Sequence, residues 1–460
     1  MDIKNENSII FHGNEKLDEI VIHWLPTHFC NYQCSYCISH APHTKVEMQF
    51  TNIKILKNVA DKIFAMNKNK YTFIFSGGEP TIYPYFIELV EYITRHDNVY
   101  IYLYSNGHKN TNYFSSLFEI KNFFLNFSIH FEFFNIEHLK KIIKCSNNYK
   151  KYIMCSIMLN PNFKSEYINT YKELLEFRKN YFFGIDLALI HNNQKLDNRY
   201  TEEDINWFYN SRKEIKEIEE KYKYNGYIPD YDQDKNSIYI FNNNKNDKIH
   251  INHRESMAKN IKCFKGLYCC SGVNSIAIDS NGNYKGVECE LAELIGNIHY
   301  EEIDYFKLLK PIQCSLEGCA CRFNNYAPKY KYKDEAYKCI QQYIEKAVPK
   351  KYIYNKIVEQ NSKLNELENK IYLLENNTSF QLNKIVNSIA WWIPIKKWRD
   401  NFRNKIFNTD QTRPDQTRPD QTRPDQYIKI IYILIIIQYI KKYNLCCNTK
   451  LQHRFFILNY

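Results

Sequence analysis

The stretch IVIHWLPTHFCNYQCSYC, residues 20–37, joins a β-rich run, Ile20 to Leu25, to a loop with three thiols: Cys30-Asn-Tyr-Gln-Cys34-Ser-Tyr36-Cys37. The cysteines follow directly after a strand, and in parallel α/β architectures sites are built at the carboxyl ends of strands. Thiolates are the usual protein ligands of iron-sulfur clusters, and three of them leave one iron of a four-iron cluster with an open position. Zinc would demand a fourth protein ligand, for which His40 or His43 is at hand.

Outward from this loop, β-rich runs recur at Tyr71 to Phe75, Val99 to Tyr104, Phe124 to Ile129, Tyr152 to Leu159 and Phe182 to Ile190. Between them, Asn52 to Met66, Tyr85 to Thr94, Ile136 to Lys144 and Ser165 to Arg178 carry apolar residues at helical spacing. Parallel neighbours need long crossovers, and the helices must cover the sheet, so the pattern predicts an α/β core over residues 20–222 as a partial or full β/α barrel.

Polar groups recur where these strands end. The second is followed by Ser76-Gly77-Gly78-Glu79-Pro80, the third by Ser105-Asn106-Gly107, and the fourth holds Ser128-Ile129-His130 with Glu132 beyond. The chain has only 12 glycines in 460 residues, so adjacent ones at 77 and 78 suggest a backbone that needs their freedom.

With three further matches in order, the sequence resembles the radical S-adenosylmethionine (SAM) superfamily, whose hallmark is CxxxCxxC with an aromatic residue before the third cysteine, here Tyr36. The resemblance implies a 4Fe-4S cluster on Cys30, Cys34 and Cys37, its free iron chelated by the methionine moiety of SAM. It further implies reductive cleavage to a 5′-deoxyadenosyl radical, hydrogen abstraction from a substrate, and an electron donor such as flavodoxin or ferredoxin. On the same ground Gly77, Gly78, Glu79 and Pro80 correspond to the GGEP contact with the methionine amino group, Ser105 and Asn106 to the ribose contact, and Ser128 to another cofactor-binding position. His130 and Glu132 are candidates for acid, base or substrate contact, or are merely structural.

A second cysteine group, Cys263, Cys269, Cys270, Cys289, Cys314, Cys319 and Cys321, falls within residues 263–332. The turn signal Asn281-Gly282 between Ser275–Asp279 and Tyr284–Cys289 predicts a small β-hairpin module around metal. The arrangement resembles the SPASM and shorter Twitch extensions of radical enzymes, which implies an auxiliary 4Fe-4S cluster. Cys269, Cys289, Cys319 and Cys321 are the favoured ligands and Cys314 the competitor, with a zinc knuckle as the alternative. Cys145, Cys155 and Cys339 stand alone and read as core residues.

With 44% hydrophobic and 16% aromatic residues the chain has enough apolar material for more than one domain, which excludes general disorder. The formal charge of +11 is spread along the chain, and no nucleic-acid partner is expected. Met1 to Phe11 offers no apolar signal-peptide core, so the 15 cysteines belong to a cytoplasmic protein, where close spacing points to metal.

Residues 223–262, rich in Asn, Asp, Lys and Tyr, read as a solvated insertion or linker. Over 350–409, Ile357, Leu364, Leu367, Ile371 and Leu374 keep heptad spacing, which predicts a coiled coil or a solvated helix. Residues 391–407 then combine Trp391, Trp392, Trp398 and Phe402 with Lys396, Lys397, Arg399, Arg403 and Lys405, which suits peripheral contact with the inner face of a membrane or docking to a partner. Trp391-Trp392-Ile393-Pro394 is similar to the ends of bacterial surface-polysaccharide glycosyltransferases, which points to a sugar or glycan-precursor substrate. A peptide-modifying maturase is the enzymatic alternative, and a metal-binding scaffold the non-enzymatic one. Residues 410–460 open with three copies of Asp-Gln-Thr-Arg-Pro, a flexible spacer, and continue in a tail without expected function; its apolar run, Ile430 to Ile440, is too short to span a bilayer.

Overall fold

The computed structural model describes residues 9–11, 18–37, 49–192, 195–222, 238–241, 248–251, 264–316, 319, 321 and 327–375. His40, His43, Cys263, the segment 391–407 and the repeat with its tail lie outside the described residues.

Six strands run in chain order, each parallel to the next: β1 (Glu19–Trp24), β2 (Lys70–Phe75), β3 (Val99–Ser105), β4 (Phe123–Ile129), β5 (Ile153–Leu159) and β6 (Gly184–Leu189). The crossovers are helical: α1 (Ile53–Phe64), α2 (Phe86–Ile93), α3 (Thr111–Phe118), α4 (Ile136–Asn148) and α5 (Lys164–Arg178), with α6 (Glu202–Lys221) after the last strand. Local chemistry starts these helices. Asn52, Asn110 and Asn135 each accept a backbone N–H of the first turn, and Thr201 with Asp204 forms a capping box.

One face of the sheet is aromatic and packs beneath helices, as where Phe75 meets Phe86 of α2 edge-on at 5.2 Å. The other, inner face carries Val21, Ile74, Tyr102 and Phe124 in a cluster with Ala277, Val287 and Cys321. Residues two apart on a strand share a face, so His23, Ser76, Asn126 and Ser128 lie on the inner side with them.

The sheet is a partial barrel. Its order ends at β6 on one side, while the other edge of β1 takes β7 (Ser275–Ile278), followed by β8 (Asn283–Lys285) and β9 (Gly296–Asn297). β7 is parallel to β1, in register Ser275↔Val21 through Ile278↔Trp24, and all four of its residues are buried. The hairpin expected as a separate clamp is thus also an extension of the main sheet, because Ile276 and Ile278 bury where alternation alone leaves one side wet. Its turn is as expected, with Gly282 N–H donating to Asp279 O at 3.0 Å.

Within 223–262, Ile238–Phe241 and Lys248–Ile251 form a hairpin that pairs with Ile9–Phe11. A third small sheet centres Tyr268–Cys269 between Ile312–Gln313 and Lys329–Tyr330.

Contacts divide the chain into two compact units, Met1–Ala347 and Val348–Tyr460. In the second, the described part is one helix, Lys350–Glu375, whose exposed face carries Glu359 bonded to Lys356 and Lys363. Leu364 of the expected heptad seam is exposed. Among the described residues no helix is long and apolar enough to cross a membrane.

Candidate SAM and cluster site

The backbone just before Cys30 is laced to the strand end that carries the glycines. Gly78 N–H donates to Thr27 O at 3.4 Å and Glu79 N–H to Phe29 O at 2.7 Å. Gly77 sits at φ +119°, and a Cβ on Gly78 would lie 2.0 Å from Phe29 O. Glycine is therefore required at 78 for the β2 end to approach the thiol loop at all.

Glu79 is 1% exposed. Its Oε1 accepts from Thr81 N (3.1 Å), Thr81 Oγ1 (2.6 Å) and Ser105 Oγ (2.8 Å), and its Oε2 from Asn106 N (2.7 Å). Burial pushes this carboxyl above its ordinary range, and the hydrogen bonds from Thr81, Asn106 and Ser105 pull it back. Glu79 thus knots the end of β2 to the end of β3. Asn106 passes the tie on, its Nδ2 reaching Asn31 Oδ1 at 2.9 Å and Cys30 Sγ at 3.8 Å. Pro80 begins the 3₁₀ turn that follows.

The far side of the thiol loop is held by the end of β4. Ser35 donates to Glu132 through its N–H (3.1 Å) and Oγ (2.7 Å). Tyr36 OH meets His130 Nδ1 at 2.8 Å and their rings stack at 5.8 Å. Burial pulls the His130 imidazole down to about 4, so the ring is neutral and its Nδ1 shares a hydrogen bond with the tyrosine hydroxyl in either tautomer. His130 and Glu132 therefore both position the loop.

Cys30, Cys34 and Cys37 are each half-buried, and Cys37 lies close enough to both Cys30 and Cys34 to contribute to the rise in their pKa. Burial is the main cause that pushes Cys30 up to about 11 and Cys34 up to about 12. Iron binding must displace those protons. Three thiols on one loop, walled by Asn106 and Tyr36, fit a cluster with one open iron.

Ser128 is half-exposed in a row of polar groups set by register: Ser128 opposite Ser156 of β5, and Ser156 opposite Asp186 of β6. Ser156 Oγ lies 3.3 Å from Asp186 Oδ2, and Arg212 of α6 lies 3.5 Å from Asp186 Oδ1.

The second cysteine group gathers on the apolar inner face. Cys269, Cys289 and Cys319 pack against the cluster that contains Cys321. Cys269 lies within electrostatic reach of Cys319, Cys289 and Cys314; burial holds its thiol up at about 11, and the Lys329 ammonium opposes that rise. Lys329 is itself buried, its Nζ 3.0 Å from Ala327 O. Among the described residues no three Cys, His, Asp or Glu side chains close around a single-ion centre. Cys339, expected to stand alone, is hydrogen-bonded to Cys270, both buried. Cys155 is core, and Cys145 bonds Ser115 Oγ at 3.1 Å.

Sequence reading passed over His23, Asp186, Glu288 and Lys329. The available signal was a polar residue interrupting an apolar strand, as His23 and Asp186 do.

Residues 24–175 match the family model of the Radical SAM superfamily. No curated protein matches the sequence. Among solved structures, native anSMEcpe with bound AdoMet is similar at a TM-score of 0.43 and 15% identity, over 75% of this chain and 100% of that one. Streptococcus suis SuiB bound to S-adenosylmethionine gives 0.40 and 11%, over 62% and 64%. BtrN in complex with AdoMet and 2-DOIA gives 0.33 and 12%, over 62% and 80%. Scores this low carry neither site nor chemistry, whereas the family match spans the thiol loop, the Gly-Gly-Glu-Pro turn and the ends of β3 and β4. The likeness to the Radical SAM superfamily thus lies in the domain at residues 24–175 of the 460-residue chain.

Proposed function

We propose that this enzyme cleaves SAM reductively and abstracts a hydrogen atom from a hydroxyl-bearing substrate, a sugar or surface-glycan precursor. The observation that carries the first part is the knot at Glu79, which brings Gly77, Gly78, Ser105 and Asn106 beside the three thiols. Cys30, Cys34 and Cys37 would hold the 4Fe-4S cluster. When bound, the cluster supplies the electron that turns SAM into a hydrogen-abstracting radical. Gly77 and Gly78 offer their backbone to the methionine end, Ser105 and Asn106 border the ribose end, and Tyr36 with His130 keeps the thiol loop in place. The row Ser128, Ser156 and Asp186 supports the substrate class, because a carboxylate and two hydroxyls on one face suit hydrogen bonding to a polyol.

The second cysteine group is proposed to hold an auxiliary 4Fe-4S cluster through Cys269, Cys289 and Cys319, with Cys314 or Cys321 as the fourth ligand. A buried Lys329 beside Cys269 supports an anionic thiolate centre there. The same group favours the second reading, a peptide-modifying maturase. Residues 391–407 are proposed to touch the inner face of a membrane, and the electron donor to be a flavodoxin or ferredoxin.

The test is anaerobic reconstitution with dithionite and SAM, followed by assay of 5′-deoxyadenosine. Release is expected from the wild type and none from the variant with Cys30, Cys34 and Cys37 all changed to Ala. Equal release from both would end the assignment. A panel of nucleotide sugars should then stimulate release over peptides, and the reverse would favour the maturase.

A further inference from the structure

His23 is 2% exposed on β1, and it bonds in two directions. Its Nδ1 meets Glu288 Oε1 and its Nε2 meets Ser76 Oγ. A neutral imidazole with its proton on Nδ1 donates to the carboxylate and accepts the serine O–H, so the whole chain is satisfied without a charge on the ring. Ser76, 4% exposed, immediately precedes Gly77, and Glu288 immediately precedes Cys289. Three side chains therefore tie the SAM-binding turn to the second cysteine group, across 265 residues of sequence between His23 and Glu288.

The backbone ladder does not make this tie. β7 is fixed to β1, and β8 to β7, but β8 ends at Lys285, and Cys289 lies beyond it. Glu288 fastens that segment to the inner face beside Ser76.

We propose that Ser76, His23 and Glu288 form a positioning relay that couples occupancy of the second cysteine group to SAM binding at Gly77 and Gly78. This rests on the proposed function, since it takes those glycines as the cofactor contact and Cys289 as a cluster ligand. Coupling of this kind is reciprocal: ordering Cys289 improves SAM affinity by the factor by which SAM secures the Cys289 centre.

The experiment uses the full chain, reconstituted anaerobically, with SAM affinity read by equilibrium dialysis alongside iron, sulfide and thermal unfolding. Glu288→Ala and Ser76→Ala should each weaken SAM binding about tenfold, the factor that corresponds to about 1.4 kcal/mol, the order of one lost hydrogen bond. The double variant should be no weaker than either single one, since both cut one chain. Glu288→Gln, whose amide oxygen still accepts from Nδ1–H, should restore affinity to within about twofold of wild type. In the wild type, SAM should slow chelator removal of iron from the second group, and in Glu288→Ala it should not.

Wild-type affinity in Glu288→Ala with only a lower melting temperature would make the chain a structural strut and overturn the relay. Additive losses in the double variant would overturn it as well. If Glu288→Ala fails to hold its clusters, Ser76→Ala, which leaves the hairpin untouched, decides by the same affinity comparison. Absence of SAM binding by the wild type would remove the proposed function and the relay with it, whereas wild-type binding with unshifted variants removes the relay alone.

Discussion

Glu79→Gln separates two roles for the buried carboxylate of the Gly-Gly-Glu-Pro turn. Its Oε1 faces Thr81 N–H and two hydroxyls, and its Oε2 faces Asn106 N–H at 2.7 Å. Glutamine has one oxygen to offer. With that oxygen toward Thr81, its NH₂ is forced against Asn106 N–H; flipped, it is forced against Thr81 N–H. Either way a buried backbone donor loses its acceptor, at about 1–3 kcal/mol, and the surviving bonds lose their charge assistance. A total of about 2–4 kcal/mol lowers the melting temperature by roughly 5–10 °C for a domain of this size. Since Asn106 also holds Asn31 beside Cys30, iron retention should fall in parallel. Were Glu79 instead an exposed partner of the methionine ammonium, the variant would lose SAM affinity while keeping its melting temperature and iron. Differential scanning fluorimetry of the apoprotein, iron content and SAM dialysis on the same preparations make the comparison. A wild-type melting temperature with weakened SAM binding would refute the knot.

Gly78→Ala places a methyl 2.0 Å from Phe29 O, and since that is backbone the strand end must move; the cost should be about 3 kcal/mol, and less than half of wild-type SAM binding should survive under subsaturating cofactor. Lys68 is 4% exposed and burial holds its ammonium down to about 7, while the Tyr343 ring face 4.0 Å away offsets about 2 kcal/mol at most. Between that value and the ordinary 10.5 the unfolded chain binds more protons, so apoprotein stability should rise with pH across this window; in Lys68→Met the rise should vanish and the urea midpoint at pH 7 should increase. With Cys30, Cys34 and Cys37 all replaced by Ala, about four irons and four sulfides should remain on the second cysteine group; one zinc and no sulfide would make it a structural knuckle.

The six parallel strands were legible to within two residues at every end, because each is a short, predominantly apolar and mostly buried run, and such runs announce themselves locally. The thiol loop and the Gly-Gly-Glu-Pro turn were legible for the same reason, as short motifs at strand ends. What local pattern does not contain is the partner. Ser275–Ile278 reads as half of a hairpin, which it is, but nothing near residue 275 says that its other neighbour is β1, some 250 residues earlier. Glu79 and His23 fail in the same way: one is a motif residue whose four donors come from two strand ends, the other a lone histidine whose two partners stand at residues 76 and 288. Long-range polar satisfaction is a property of the assembled interior, and a buried charge is tolerated only when that assembly completes its bonds. The residues hardest to read from sequence are consequently those whose removal should be felt at both cysteine groups at once, which makes the Ser76–His23–Glu288 chain the sharpest place to ask whether the two behave as one site.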